Sequence, residues 1–161
     1  MHPFIGRAAA GITIGGAAIW GISGIDNTVR DDAGVIVEAG DLGAFVTQVG
    51  DCLNFEEPDS TLVSVTDGVP CSSPHGWQVI YKGRITLSSF DQQAITDEAQ
   101  AICEPKVQNV IQQLSTEELE EYSNADVVNL YPTLESFAEG DRTVDCLVGN
   151  DSEFYTSSLL D

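Results

Sequence analysis

Residues 8–25, AAAGITIGGAAIWGISGI, run without a single charged side chain, which is the longest uniform pattern at the start of the chain. Such a length is about what a helix needs to cross the core of a bilayer, so the pattern predicts a transmembrane helix. Arg7 is the only charged side chain before residue 26 and marks the cytoplasmic end, which orients the N-terminus inward and the rest of the chain outward. Gly11 and Gly15 form a GxxxG pair, extended by Ala8, Gly16 and Ala18, the kind of small-residue face that lets a second helix approach closely in lipid. The alternative is a cleaved signal peptide, with residues 1–7 as its n-region and Gly21-Ile22-Ser23 as a small-x-small cleavage site.

Beyond the span the pattern changes period. DNTVRDD, residues 26–32, has no periodicity and reads as a stalk over 26–33. GVIVE, residues 34–38, is β-branched and predicts a strand. Gly40, Gly43 and Gly50 punctuate the next stretch, which predicts two short strands with a tight turn at Gly50-Asp51. Residues 61–66, TLVSVT, alternate imperfectly before a turn at Asp67-Gly68, and the Pro-bounded Cys71 falls at a strand end or in a loop. WQVIYKGRITL, residues 77–87, predicts a strand pair with Val79 and Tyr81 on one side and a bulge or turn at Lys82-Gly83.

From Ser89 the period becomes helical. Ser89 is an N-cap candidate with Gln92 at N3, and Ile95, Ala99, Ile102 and Cys103 share one stripe. Pro105 is expected to end or kink this helix and start another, with Val107, Val110, Ile111 and Leu114 on its apolar face. Ser115 with Glu118 predicts a second capping box. Pro132 and Gly140 bracket a short helix with Leu134, Phe137 and Ala138 on one face, RTVDCLV at 142–148 is a last strand, and residues 149–161 form an acidic tail expected to be loose. The class is α+β: an N-terminal transmembrane helix (1–25), a stalk (26–33), a small extracytoplasmic domain (34–148) with a mostly antiparallel sheet, packed helices and two disulfides, and the tail.

Charge narrows the partners. The chain carries 26 Asp and Glu against 6 Lys and Arg, a net charge of −20, and every acid lies after residue 25. A nucleic-acid partner is excluded, because phosphates need a basic footprint. A basic protein face is attracted. Cys52, Cys71, Cys103 and Cys146 are even in number and exported with the domain, which predicts two disulfides. Three pairings exist. Cys71 with Cys103 would tie the first helix to the sheet, and Cys52 with Cys146 would join strands near the two ends of the domain, closing a loop worth roughly 4–5 kcal/mol. The spacings contain no CxxC, only His2 and His75 are available, and no acidic run has the EF-hand pattern, so neither a metal nor a cofactor is expected.

Several of these residues together resemble a known family. Val49-Gly50-Asp51-Cys52, Val69-Pro70-Cys71 followed by Pro74-His75, Cys103, Tyr131-Pro132-Thr133, and the Gly140-Asp141-Arg142-Thr143-Val144 run ending at Cys146 look like the septum-formation domain of actinobacterial envelope proteins. The resemblance covers roughly residues 35–148. It implies a membrane-anchored or lipidated protein of the extracytoplasmic face with a division or envelope role. The chain departs from the pattern with Gly76-Trp77 where an acidic residue commonly follows the His, and with Phe137 where Trp is usual.

The residues point to binding in place of catalysis. A hydrolase would need His75 as base with Ser72 or Ser73 as nucleophile, and no GxSxG elbow frames them. The expected role is a non-catalytic, single-span accessory subunit of a plasma-membrane complex, either division and cell-wall machinery or a respiratory supercomplex. Its helix would pack through Ala8, Gly11, Gly15 and Ala18 within the lipid bilayer, and Pro74, His75 and Trp77 would form a candidate interaction loop. The alternative is a secreted or anchored solute-binding domain.

Overall fold

The computed structural model of the chain describes residues 12–14, 25–55, 62–63 and 65–160. Ten strands and three helices occur among them: β1 (Ile12–Ile14), β2 (Val29–Arg30), β3 (Ile36–Glu38), β4 (Gly40–Gly43), β5 (Cys52–Asn54), β6 (Leu62–Val63), β7 (Val65–Val69), β8 (Trp77–Arg84), α1 (Gln92–Gln113), α2 (Thr116–Glu121), β9 (Asp126–Pro132), α3 (Leu134–Ala138) and β10 (Thr143–Gly149). Eight strands form one sheet in the order β4-β7-β5-β8-β10-β9-β1-β6, and β2 pairs with β3 in a separate ribbon. Pairing is antiparallel except at β1, which runs parallel to both β9 and β6.

The centre of the sheet is the β8-β10-β9 trio. β8 is one eight-residue strand where the sequence predicts a pair, and the irregularity sits earlier than Lys82-Gly83. Cys146 lies opposite Tyr81 but Leu147 lies opposite Val79, so Ile80 is an extra residue on β8. A bulge of this kind reverses the side-chain alternation of everything beyond it. Val79 and Tyr81 therefore face opposite sides, contrary to the sequence expectation, and Lys82 arrives on the same side as Asp145, its direct partner on β10. β9 is an element that the sequence reading passes over, although Val127, Val128, Leu130 and Tyr131 are good strand formers.

One face of the sheet is covered by α1. Ile95, Ala99, Cys103 and Val107 recur every fourth residue and are its buried stripe, packed with Ile80, Val144, Cys146 and Val148. Gly83 is the point of closest approach: a Cβ there would stand 2.6 Å from Ile102 Cγ2. The helix starts later than predicted, since Asp91 and not Ser89 is the N-cap, its carboxylate accepting from the Ala94 N–H at 2.9 Å. It also continues through Pro105 as 22 unbroken residues. Proline removes the bond to the Ala101 carbonyl, but Ala101 and Pro105 are both exposed, so water can take that carbonyl while Cys103 and Val107 hold both halves on the sheet.

The Ser115–Glu118 capping box forms at α2, as predicted. α3 is capped by Thr133 and Ser136; it buries Ser136 and Phe137, while Leu134 is 56% exposed, so the expected apolar face of Leu134, Phe137 and Ala138 is not the one that packs. The other face of the sheet holds a second core of Ile36, Leu42, Leu53, Trp77, Val79, Val128, Leu130 and Leu147.

The start of the chain differs most from expectation. Of residues 8–25, those numbered 12–14 are a strand on β9, not helix; Ala8, Gly11, Gly15 and Ala18 lie outside the described residues. Among the described residues no helix is long and apolar enough to cross a membrane. Residues 26–33 are not a free stalk either. Asp26 bridges to Leu42, and Arg30 grips the buried Asp51 in a bidentate pair at 2.7 and 2.9 Å while its Nε meets Asp26 at 3.1 Å. Two carboxylates and the Gly34 carbonyl thus fix the β2–β3 ribbon to the domain.

Candidate functional site

The cysteines pair as Cys52–Cys71 and Cys103–Cys146, with Cα separations of 5.2 and 5.4 Å. This corrects the expected Cys52–Cys146 and Cys71–Cys103 pairing. β8 lies between β5 and β10, which puts Cys52 and Cys146 two strand spacings apart, roughly 10 Å, beyond the reach of a disulfide. Cys146 instead points from β10 into the buried stripe of α1, where Cys103 waits. Cys52 stands opposite Val69 at the end of β7, and two residues further on the chain turns Cys71 back to it.

The loop after Cys71 was the candidate interaction loop, and it is turned inward. Pro74 is exposed, but His75 is fully buried and Trp77 nearly so. His75 exchanges two backbone bonds with Tyr155, N to O at 3.0 Å and O to N at 2.8 Å, and the imidazole Nδ1 lies 3.0 Å from the Ser73 carbonyl. A carbonyl can only accept, so Nδ1 carries the proton and Nε2 presents its lone pair. That lone pair has no hydrogen-bond partner among the described residues, and no Ser72 or Ser73 hydroxyl is bound to it. Burial holds the imidazole below its usual pKa, partly opposed by the Ser73 carbonyl and the Glu121 carboxylate. Trp77 stacks on Phe55 and donates its indole N–H to Asp151 at 2.8 Å.

These contacts dock the C-terminal segment that was expected to be loose. Tyr155 is buried, its ring stacked 4.1 Å from that of Tyr122, and Tyr122 Oη donates to the Ser157 carbonyl. Burial pushes the Tyr155 hydroxyl up to about 12. Gln78 takes the next residues with both ends of its amide, accepting from the Leu159 N–H at 2.7 Å and donating to Ser158 Oγ at 2.9 Å. Gly149 is required where this segment leaves β10, because a Cβ would lie 1.9 Å from the Gly76 carbonyl oxygen.

On the opposite face Asp145 is fully buried beneath Lys82, with Nζ to Oδ1 at 3.0 Å, and Thr47 joins them through its hydroxyl. Burial raises the Asp145 pKa against the pull of Lys82 and Thr47. The sequence gives no hint of this group, because the bulge at Ile80 decides which way Lys82 points. Three of the five basic side chains beyond residue 25 are drawn into the domain, Arg30 on Asp26 and Asp51, Lys82 on Asp145, and Arg142 on the Phe137 ring and carbonyl, while Lys106 lies exposed over the Tyr81 ring at 4.6 Å and Arg84 is exposed. Exposed carboxylates such as Glu117, Glu120, Glu135 and Glu139 then set the sign of the outer surface. No group of three or more His, Cys, Asp or Glu among the described residues is arranged to hold a metal.

A disulfide-clamped α+β domain whose mostly antiparallel sheet is backed by a long helix, with Arg30, Lys82 and Arg142 drawn inward, is the class this geometry defines. The family model for septum formation matches residues 49–156, two thirds of the chain, and the protein belongs to that family. Both disulfides, the His75 loop and the Arg142 segment fall inside the match, and the family's description points to a role in cell division or the envelope. Neither a curated protein nor a solved structure matches the chain.

Proposed function

We propose that the chain is a non-catalytic accessory subunit of a division or cell-wall complex, anchored in the plasma membrane by residues 8–25 and presenting its acidic domain on the extracytoplasmic face. The observation that carries this reading is the inward engagement of three of the cations. Lys82, Arg30 and Arg142 lock the domain internally, which leaves a surface where carboxylates far outnumber the exposed Arg84 and Lys106 and are able to steer a basic protein face. The two disulfides suit an oxidising compartment outside the cytoplasm. His75 and Trp77, the side chains with most chemical capacity, hold the C-terminal segment and do not line an open cleft. Membership of the septum-formation family favours the division and wall machinery as host.

The test is purification of the native chain from membranes in mild detergent at low salt and again at about 1 M salt, where the Debye length falls to about 3 Å. Proteins of the septal or wall machinery should co-purify at low salt and be released at high salt. Recovery of the chain alone at low salt would end the proposal.

A further inference from the structure

The two disulfides stand in opposite surroundings. Cys103 and Cys146 are 1% and 0% exposed in the apolar layer between α1 and β10, where an attacking thiolate would have to leave its charge in the core. Cys52 is equally buried at the start of β5, but its partner Cys71 is only half-buried, at the head of a turn in which Ser72 and Pro74 are exposed. Cys71 is thus the one cysteine of the four that is not buried, and a small side chain follows it.

Cys71 also forms one wall of the slot that holds residues 158–160. Gln78 lies opposite Cys52 on the neighbouring strand, with Nε2 3.8 Å from Cys71 Sγ. That nitrogen has two protons, which go to the Gly50 carbonyl at 3.1 Å and to Ser158 Oγ at 2.9 Å, while Oε1 accepts from the Leu159 N–H. The sulfur beside the amide therefore serves as packing that keeps it turned toward Leu159. The far end of the turn is held without the disulfide: the Asn54 side chain donates to the Pro74 carbonyl at 3.1 Å and accepts from the Gly76 N–H at 2.8 Å, which fixes His75 and its bonds to Tyr155 between them. Opening Cys52–Cys71 frees residues 71–73 and loosens the Gln78 slot, and it leaves the His75–Tyr155 pair in place.

We propose that Cys52–Cys71 is a thiol–disulfide exchange site for the dithiol of a partner protein, entered at Cys71, and that its redox state sets how tightly residues 157–160 are held. A thiolate of the dithiol attacks Cys71 Sγ; the bond to Cys52 breaks, and Cys52 Sγ leaves with the electron pair and takes up a proton. The second thiol of the dithiol then attacks the partner's own sulfur in the mixed disulfide, which releases Cys71 as a thiol. The dithiol is oxidised to a disulfide and Cys52 and Cys71 are reduced to two thiols.

The experiment treats the full oxidised chain, without denaturant, with dithiothreitol at about pH 8, where a free thiol is partly ionised. Free thiols are trapped by alkylation and mapped. Cys52 and Cys71 should be labelled at least about tenfold faster than Cys103 and Cys146. Simultaneous labelling of all four, or earlier labelling of Cys103 and Cys146, would overturn the assignment. Excess glutathione, which has no second thiol to resolve the mixed disulfide, followed by an acid quench, should leave the adduct on Cys71; an adduct on Cys52 would overturn the point of entry. In the selectively reduced chain the Leu159 amide should exchange at least about tenfold faster while the Tyr155 and α1 amides keep their protection. An unchanged Leu159 amide, or loss of protection at Tyr155 and α1 as well, would overturn the coupling to residues 157–160.

Discussion

On one face of the sheet α1 lays Ile95, Ala99, Cys103 and Val107 across β8, β9 and β10, and the Cys103–Cys146 disulfide fastens helix to strand in the middle of that apolar layer. On the other face no helix among the described residues covers the core. The β2–β3 ribbon and residues 44–49 close it, held by Arg30 on Asp51 and by Lys82 and Thr47 on Asp145. The helical face is secured chiefly by dispersion, apolar burial and a covalent bond, none of which depends on protonation. The second face is secured by charges that are stable only as complete pairs, because a lone buried ion is expensive. One domain therefore has a permanent side and a conditional side.

Breaking the covalent tie should give the largest effect. Cys103→Ala with Cys146→Ala opens a crosslink spanning 43 residues and should cost about 4 kcal/mol in denaturant unfolding, against about 3 kcal/mol for Cys52→Ala with Cys71→Ala, whose span is 19 residues. An equal or reversed order would mean that loop length does not govern the difference. Non-reducing peptide mapping should return the 52–71 and 103–146 pairs together.

On the conditional side, Lys82→Met leaves Asp145 buried without its cation and should cost about 3 kcal/mol, while Lys82→Met with Asp145→Leu should recover most of that loss. A double variant no more stable than the single would show that the pair does more than neutralise itself.

The smallest effect concerns His75 and the docked C-terminal segment on the helical side. Its folded pKa is lowered, so the native state binds a proton less readily than the unfolded chain, whose ordinary value is 6.5. The contribution of His75 is complete above that pH and is lost as pH falls below it, at a slope of up to about 1.4 kcal/mol per pH unit. His75→Phe removes the titration, so its stability should fall less steeply than that of the natural protein below pH 6.5. Identical slopes would show that the carboxylates alone set the acid response and that the helical face is free of any protonation switch.

How much of this was legible in the sequence follows the range of the interactions. The α1 stripe, the Ser115–Glu118 box and the last strand were readable because periodicity and capping act within four residues of the chain. The septum-formation resemblance was readable from the cysteines and the 140–146 run, and the family match bears it out. The continuous helix through Pro105 was not, since whether the lost hydrogen bond matters depends on which side faces water. The docking of residues 150–160 was hidden because its partners, His75, Gln78 and Tyr122, stand far away in the chain.

By itself, then, the sequence determined the α+β class, the acidic character, the existence of two disulfides and the family, all of which are properties of composition, local pattern and residue spacing. Only the tertiary structure decided which cysteines meet, which way Lys82 points and what occupies the β9 edge. Strand order placed β8 between Cys52 and Cys146, and one extra residue at Ile80 reversed the alternation beyond it. Both are long-range choices of pairing and register, settled by the fit of the whole sheet and by no stretch of chain alone.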